Sequence, residues 1–417
     1  MWSASSTFFI CLLFYFFVFL CYNIGIMKTF NLKTPVGLKD YILKDMEKKN
    51  KIESALKELF LSSGYNLIET PTLEYIDVFT ENVQDPTLYK LTNKEGEVLA
   101  LKNDITKSIA RVVRTFTRDF IFPQRFCYIS NIFRCKKAYQ GMQHEFTQAG
   151  IELIGVNDVF ADYEVISLAV KSLNATLDNF NLYISSSEFF SNYLDDLNIK
   201  GNVKIEILQA IKNKNISNVK KIIENNFSSN KNEYEVLSLV IEAIGKKDLL
   251  NRIKGNVKSE KTLASLTRLE KIYDLLEKNG LEKNVSFDFS ILSFGDYYTG
   301  ITLQGYTKGV GSPILEGGRY DNLIGDTDEK VSACGFAINV NDLINKTKLT
   351  YEKDIKLIYS NDKEKALKFS NENSFVSLDK CIDDAFAYGL ANNIKEIIDI
   401  DANKKYELKD GEYICQE

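Results

Sequence analysis

Histidine is almost missing from this chain. His144 is the single one in 417 residues, which removes most Ser-His, Cys-His and multi-His metal chemistry. Proline is scarce as well, with five residues, so collagen-like and Pro-rich character is excluded. The seven cysteines form no Cys-x-x-Cys pair and follow no regular spacing. Neither a zinc ribbon nor a disulfide scaffold is encoded, and a reducing compartment is expected. There is no basic excess: 52 Lys and Arg face 57 Asp and Glu, a net charge of −5. That balance argues against broad binding to nucleic-acid backbones, although a local basic groove would survive it. What is present is 45% apolar and 26% charged, enough for two or three domains with ordinary cores. Disorder is ruled out. Any chemistry must run on Asp, Glu, Arg, Lys, Gln and Tyr.

Charge is also missing from residues 1–26, where Phe8 to Leu20 is an unbroken apolar run. The run is short for a spanning helix, which needs about 20 apolar residues. A signal peptide would carry a basic start and a small-x-small cleavage site, and neither is here. The sequence from Met27 reads like an ordinary cytosolic N-terminus, so residues 1–26 are expected to be a dispensable extension or a mis-assigned start. The expected location is cytoplasmic, with membrane association only if 1–26 is a true anchor.

Apolar spacing predicts a helix from Asp45 to Ser63 with Gly64 closing it. Val98–Lys102 reads as a strand feeding a second helix, capped by Asn103 or Asp104, with Ile105, Ile109, Val112, Val113 and Phe116 as its buried stripe. Phe126–Arg134 and His144–Ile154 read as a long antiparallel hairpin, and 160–178 as helix. Residues from about 186 to 284 are Lys/Asn/Glu-rich and helical in period, an expected all-helical insertion. Strands are expected again at Phe287–Leu292, Tyr297–Tyr306, Ile314–Leu315 and Val331–Val340. From Tyr351 the pattern alternates strand and helix, ending on a strand at Ile397–Ile400. The organisation expected is therefore an extension at 1–26, a core at 27–350 carrying the insertion, and a small α/β domain at 351–417.

Six motifs in one order carry a resemblance. They are Thr34-Pro35-Val36-Gly37 through the Pro71 segment, Lys102-Asn103-Asp104-Ile105-Thr106, the hairpin Phe133-Arg134 to Glu152, Asp296-Tyr297-Tyr298-Thr299-Gly300, Gly317-Gly318-Arg319-Tyr320-Asp321, and Gly335-Phe336-Ala337-Ile338. Over about residues 30–345 the chain resembles a class II aminoacyl-tRNA synthetase core of the histidyl type. The resemblance implies an α+β fold: an antiparallel sheet with flanking helices, an all-helical insertion and a small C-terminal α/β domain. Two groups share that core closely, the histidyl-tRNA synthetases and the regulatory subunits of short-form ATP phosphoribosyltransferase. The latter resemble a synthetase that has kept its amino-acid pocket and lost its chemistry.

Adenylate formation sets a carboxylate against an α-phosphate, so cations are needed where charge develops. Of the three arginines that the synthetases use, the first matches Arg134. The glutamate expected two residues on is Lys136. The second arginine falls on Ser293 or Phe294 and the third on Asp342, a carboxylate that would repel a triphosphate. The ATP half therefore reads as dismantled.

The amino-acid half reads as kept. Gln148 and Glu152 share one strand face by the period of two, with His144 on that face as well. The resemblance makes Gln148 and Glu152 part of a histidine pocket, with Asp104 and Thr106 toward the α-amino group, Arg134 beside them, and the Tyr297 and Tyr298 phenols closing on the imidazole. Each residue has a plainer reading. Asp104 would cap its helix, Gln148 and Glu152 would line a solvated sheet face, and the two tyrosines would pack in the core. Arg319 reads equally as an ion-pair partner or a pocket wall, and His144 as a polar hairpin residue.

Residues 351–417 hold 10 Lys and 15 Asp and Glu, a balance hostile to tRNA phosphates. The resemblance to the regulatory-subunit family thus implies no catalytic residue, no metal and no cofactor. Its partners would be the short catalytic subunit, histidine as effector and a second copy within a hetero-octamer, with no nucleic acid. A divergent catalytic histidyl-tRNA synthetase and a stand-alone histidine-binding module are the alternatives.

Overall fold

The computed structural model describes residues 32–416 apart from 81, 83, 136–142, 227–230, 292–296, 325–330 and 351–352. Residues 1–26, Lys136, Ser293 and Phe294 lie outside the described residues.

The first helix, α1 (Leu43–Ser62), buries Ile52, Leu56 and Phe60 at spacings of four. It stops where Gly64 turns to φ +85°, a conformation that a Cβ disfavours. Short strands β1 (Asn66–Leu67) and β2 (Leu73–Tyr75) follow. Strands β3 (Lys90–Thr92) and β4 (Val98–Leu101) join β2 in a small sheet ordered β2-β4-β3. Helix α2 (Ile105–Phe116) buries Ile105, Ile109, Ala110 and Val113. Phe116, expected in that stripe, is 47% exposed, because the helix ends there and its ring turns out to meet Phe120.

The hairpin β5 (Gln124–Phe133) and β6 (Glu145–Ile154) runs in antiparallel register from Gln124↔Ile154 to Phe133↔Glu145. It lies in a nine-stranded sheet ordered β1-β5-β6-β12-β11-β10-β7-β9-β8. The other members are β7 (Asn181–Ser186), β8 (Ile244–Gly245), β9 (Val285–Asp288), β10 (Ile301–Tyr306), β11 (Leu315–Arg319) and β12 (Ala333–Asn339). The sheet is mainly antiparallel; β1–β5 and β7–β9 are the parallel pairs.

Strand alternation then sorts the side chains. Ala149, Ile151 and Leu153 face the core shared with α1 and α3 (Val159–Thr176). Phe146 and Ile154 face α2, together with Tyr128 and Tyr320. Gln148 and Glu152 stand between Phe146 and Ile154 on that same face of β6. Buried Asp162 of α3 accepts from Arg319 Nη2 at 2.6 Å and from Arg268 Nε at 2.5 Å. Arg319 is therefore an ion-pair partner and not a pocket wall.

The stretch expected to be wholly helical carries six helices: α4 (Ser187–Asp196), α5 (Gly201–Lys212), α6 (Ile216–Asn226), α7 (Lys231–Glu242), α8 (Lys247–Lys254) and α9 (Glu260–Lys278). It also holds β8, which pairs antiparallel with β9. A two-residue strand has no period for a sequence to display. Residues Tyr297–Gly300, expected to open a strand, form a turn before β10, where Thr299 N–H donates to the Arg319 carbonyl at 2.7 Å.

After the short helix α10 (Val340–Leu343) comes a five-stranded sheet ordered β14-β13-β15-β16-β17. It is made by β13 (Lys353–Tyr359), β14 (Ser374–Val376), β15 (Ile394–Asp399), β16 (Lys404–Lys409) and β17 (Glu412–Gln416), with α11 (Lys363–Phe369) and α12 (Ile382–Ala391) on the crossovers. The β16–β17 hairpin is an addition to the expected alternation. Among the described residues no helix is long and apolar enough to cross a membrane.

Candidate functional site

A cavity of about 370 Å³ opens on the β6 face that carries Gln148 and Glu152, and all seven expected residues line it. Asp104 and Thr106 come from the start of α2, Arg134 from the end of β5, Gln148 and Glu152 from β6, and Tyr297 and Tyr298 from the turn before β10. Lys107, Tyr128, Glu316, Tyr320 and Gly335 also line it, and the sequence reading did not single them out. Tyr320 and Gly335 stood inside quoted motifs, so a signal was present. Tyr128 points to this face through cross-strand pairing with Gly150, which only the register shows.

Glu152 is the centre. It is 2% exposed, which overturns the solvated-face reading. Its Oε1 accepts the Thr106 hydroxyl at 2.7 Å, and Oε2 accepts the Tyr320 hydroxyl. Burial drives its pKa up to about 8, pulled back by those two hydroxyls and raised further by Asp104. The tyrosines around it are also raised, by burial first and then by nearby acids, Glu152 and Asp104 for Tyr128 and Tyr297 and Glu316 ahead of those two for Tyr298. A carboxyl held near neutrality in a pocket of phenols is poised to ionise when a cation arrives.

Asp104 holds both of its proposed places at once: it lines the cavity, and its Oδ1 makes a long capping contact with the Lys107 N–H at 3.4 Å. Arg134 is fixed by a bond from Nε to the Asn103 carbonyl at 2.9 Å, with its guanidinium 5.6 Å from the centre of the Phe146 ring. Tyr297 and Tyr298 meet edge to face at 4.9 Å and pack on the α2 cluster while lining the cavity. His144, read as a polar hairpin residue, stands in the bend just before β6. It is buried over Gly37, with the Tyr89 hydroxyl 2.6 Å from Nδ1, outside the cavity lining.

Asp342, at the third arginine position, lies in α10 away from the cavity lining. Its Oδ2 takes a hydrogen bond from Asn339 Nδ2 at 2.7 Å. Beside it, Asn341 donates to Gln143 Oε1 and to the Tyr41 hydroxyl at 2.8 and 2.7 Å. An amide network thus stands beside Asp342, the residue that the resemblance sets at the third arginine position. Among the described residues no group of three or more His, Cys, Asp or Glu is placed to hold a metal ion.

Gly335 is set directly against Glu152 in the β6–β12 register. A Cβ there would lie 2.0 Å from Glu152 Oε2 and 2.2 Å from the Ile151 carbonyl. Gly335→Ala is therefore expected to lower stability by about 1–3 kcal/mol, the usual range for overpacking, and to displace the carboxyl. Urea unfolding of the variant beside wild type measures it.

A family profile described as histidyl-tRNA synthetase matches residues 37–343, which agrees with the sheet, the hairpin and the cavity. The class is thus a class II core of the histidyl type. The ATP phosphoribosyltransferase regulatory subunit of Clostridium kluyveri is 36% identical over 348 residues, 82% of this chain and 87% of that protein. The Clostridium novyi protein of the same name is 32% identical over 395 residues, covering 90% and 94%. A Bacillus halodurans crystal structure, described as an ATP phosphoribosyltransferase regulatory subunit/histidyl-tRNA synthetase, superposes with TM-score 0.77 at 27% identity, covering 90% of this chain and 99% of that one. A histidyl-tRNA synthetase from Nostoc sp. also reaches 0.77, at 21% identity over 93% and 97%, a likeness of fold alone. The chain belongs to the family of ATP phosphoribosyltransferase regulatory subunits.

Proposed function

We propose that this chain is the non-catalytic regulatory subunit that holds histidine around Glu152 and confers histidine feedback inhibition on a short-form ATP phosphoribosyltransferase catalytic subunit. Phosphoribosyl transfer, the first step of histidine synthesis, belongs to that partner. The carrying observation is the asymmetry of the cavity. Acidic, amide and phenolic groups converge on an amino-acid-sized space, near the small end of ordinary ligand pockets. The arginine position that would serve a triphosphate holds Asp342 among amides. Asp104 and Glu152 suit an ammonium or imidazolium, Arg134 suits a carboxylate, and Gln148 accepts either partner. The assembly proposed is a dimer of this chain within a hetero-octamer, acting in the cytoplasm without nucleic acid. A divergent histidyl-tRNA synthetase is the second reading, favoured by Arg134 at the cavity wall and by the intact Gly317-Gly318-Arg319-Tyr320-Asp321 motif.

Regulation is a coupling free energy between two sites, so it is reciprocal in binding. The chain should bind histidine alone, and the catalytic subunit should be inhibited by histidine only when this chain is present. Calorimetry on the isolated chain and activity curves on the reconstituted pair measure both. Histidine inhibition of the catalytic subunit by itself would overturn the reading.

A further inference from the structure

A second polar cavity, of about 390 Å³, lies behind the hairpin, on the side of Thr147 and Asn131. Those two pair across β5 and β6 on the face opposite Gln148 and Glu152. Lys102, the residue that follows β4, forms its floor and is 3% exposed. The backbone there is pinned: Lys102 N–H donates to the Thr72 carbonyl at 3.0 Å, and its own carbonyl accepts from Phe133 N–H at 2.9 Å. The side chain therefore has a fixed root.

The ammonium is poorly compensated. Its Nζ donates to the Thr70 carbonyl at 3.1 Å, and among the described residues no carboxylate stands in ion-pair contact with it. Glu74, the nearby acid, is held by Arg111 at 2.8 Å. The Thr70 hydroxyl is buried without a partner as well. Burial pulls the Lys102 pKa down, and the more distant Glu69 and Glu74 only partly offset it. A buried cation with spare donors is costly unless a counter-ion meets it. The walls match that need. Lys49 of α1 brings a second ammonium, Thr72 brings a hydroxyl, and the one acid among the described residues of the wall, Glu53, is already 3.6 Å from Lys49.

We propose that Lys102 and Lys49 hold a small oxyanion, a phosphate or carboxylate group, in this cavity. The site is separate from the Glu152 cavity and does not depend on its ligand. The same chemistry can arrive as a free ion or as a carboxylate of a second copy of this chain, and the test separates the two sources. Inorganic phosphate is titrated calorimetrically into the full chain against chloride of equal ionic strength, with sedimentation velocity on the same samples.

For a free ion, wild type binds phosphate saturably and Lys102→Met weakens it at least about tenfold, the loss expected for a charged hydrogen bond. Lys49→Met, at a partly buried position on α1 that bonds no backbone carbonyl of β4 or β5, weakens it as well and guards against a folding defect in the first variant. For a carboxylate of the second copy, phosphate does not bind, and both variants shift self-association toward monomer by at least about tenfold. Variants that bind phosphate and self-associate like wild type overturn the proposal, as does a wild type that does neither. Histidine titration of the same samples reads the other cavity separately.

Discussion

The purified chain is expected to form no histidyl-adenylate: histidine-dependent exchange of pyrophosphate into ATP should stay at background. The reaction builds negative charge between a carboxylate and an α-phosphate, and the synthetases meet it with guanidinium groups at three places. By the resemblance Arg134 keeps the first place, while the third falls on Asp342, bonded to Asn339 and next to the Asn341 amide network. The second place is Ser293 or Phe294 in the sequence. Each lost donor lowers such a rate by about 10²–10³, so two together lower it by roughly 10⁴ or more. An acid at one of those places adds repulsion. The exchange assay needs neither tRNA nor a partner subunit, so activity above background would restore the synthetase reading outright.

The parts of the molecule that were legible from sequence are those with a strong local period or a fixed motif. The hairpin was expected at Phe126–Arg134 and His144–Ile154 and is found at Gln124–Phe133 and Glu145–Ile154, because alternation over ten residues leaves little freedom. The seven cavity residues were named from motifs, and the fold brings them to one wall. What was missed depends on partners distant in sequence. Tyr320 reaches Glu152 across a separation of 168 residues, and Gly335 faces it only through the β6–β12 register. The burial of Lys102 and of His144 follows from packing against Thr70 and Gly37, which no local pattern announces. The β16–β17 hairpin did carry a signal. Asp410 and Gly411 both take positive φ, 49° and 87°, the turn that an Asp-Gly pair favours. Its first strand, Lys404–Lys409, is so rich in Lys and Glu that the apolar alternation is faint.

Glu152→Ala is expected to weaken histidine binding at least tenfold, since a charged buried hydrogen bond contributes about 1.5–3 kcal/mol. The same change should move histidine inhibition of the assembled transferase to higher concentration without preventing assembly. The pH behaviour isolates the carboxyl itself. Its pKa stands at about 8, against 4.5 for a free side chain, with burial as the first cause. Between those values the folded chain keeps a proton that the unfolded chain has released. Its contribution to stability is therefore complete below pH 4.5 and falls as pH rises toward about 8, at most by about 1.4 kcal/mol per unit. Glu152→Gln should flatten that part of the profile in urea unfolding. Binding runs the other way: an ammonium or imidazolium favours the ionised carboxylate, so at pH 7 histidine should expel a proton. Calorimetry in buffers of different ionisation enthalpy counts that proton, and Glu152→Gln should abolish the part that Glu152 supplies. If Glu152→Ala binds and inhibits like wild type while the complex still forms, the effector does not sit on this carboxylate, and its site belongs to the partner or to the C-terminal sheet.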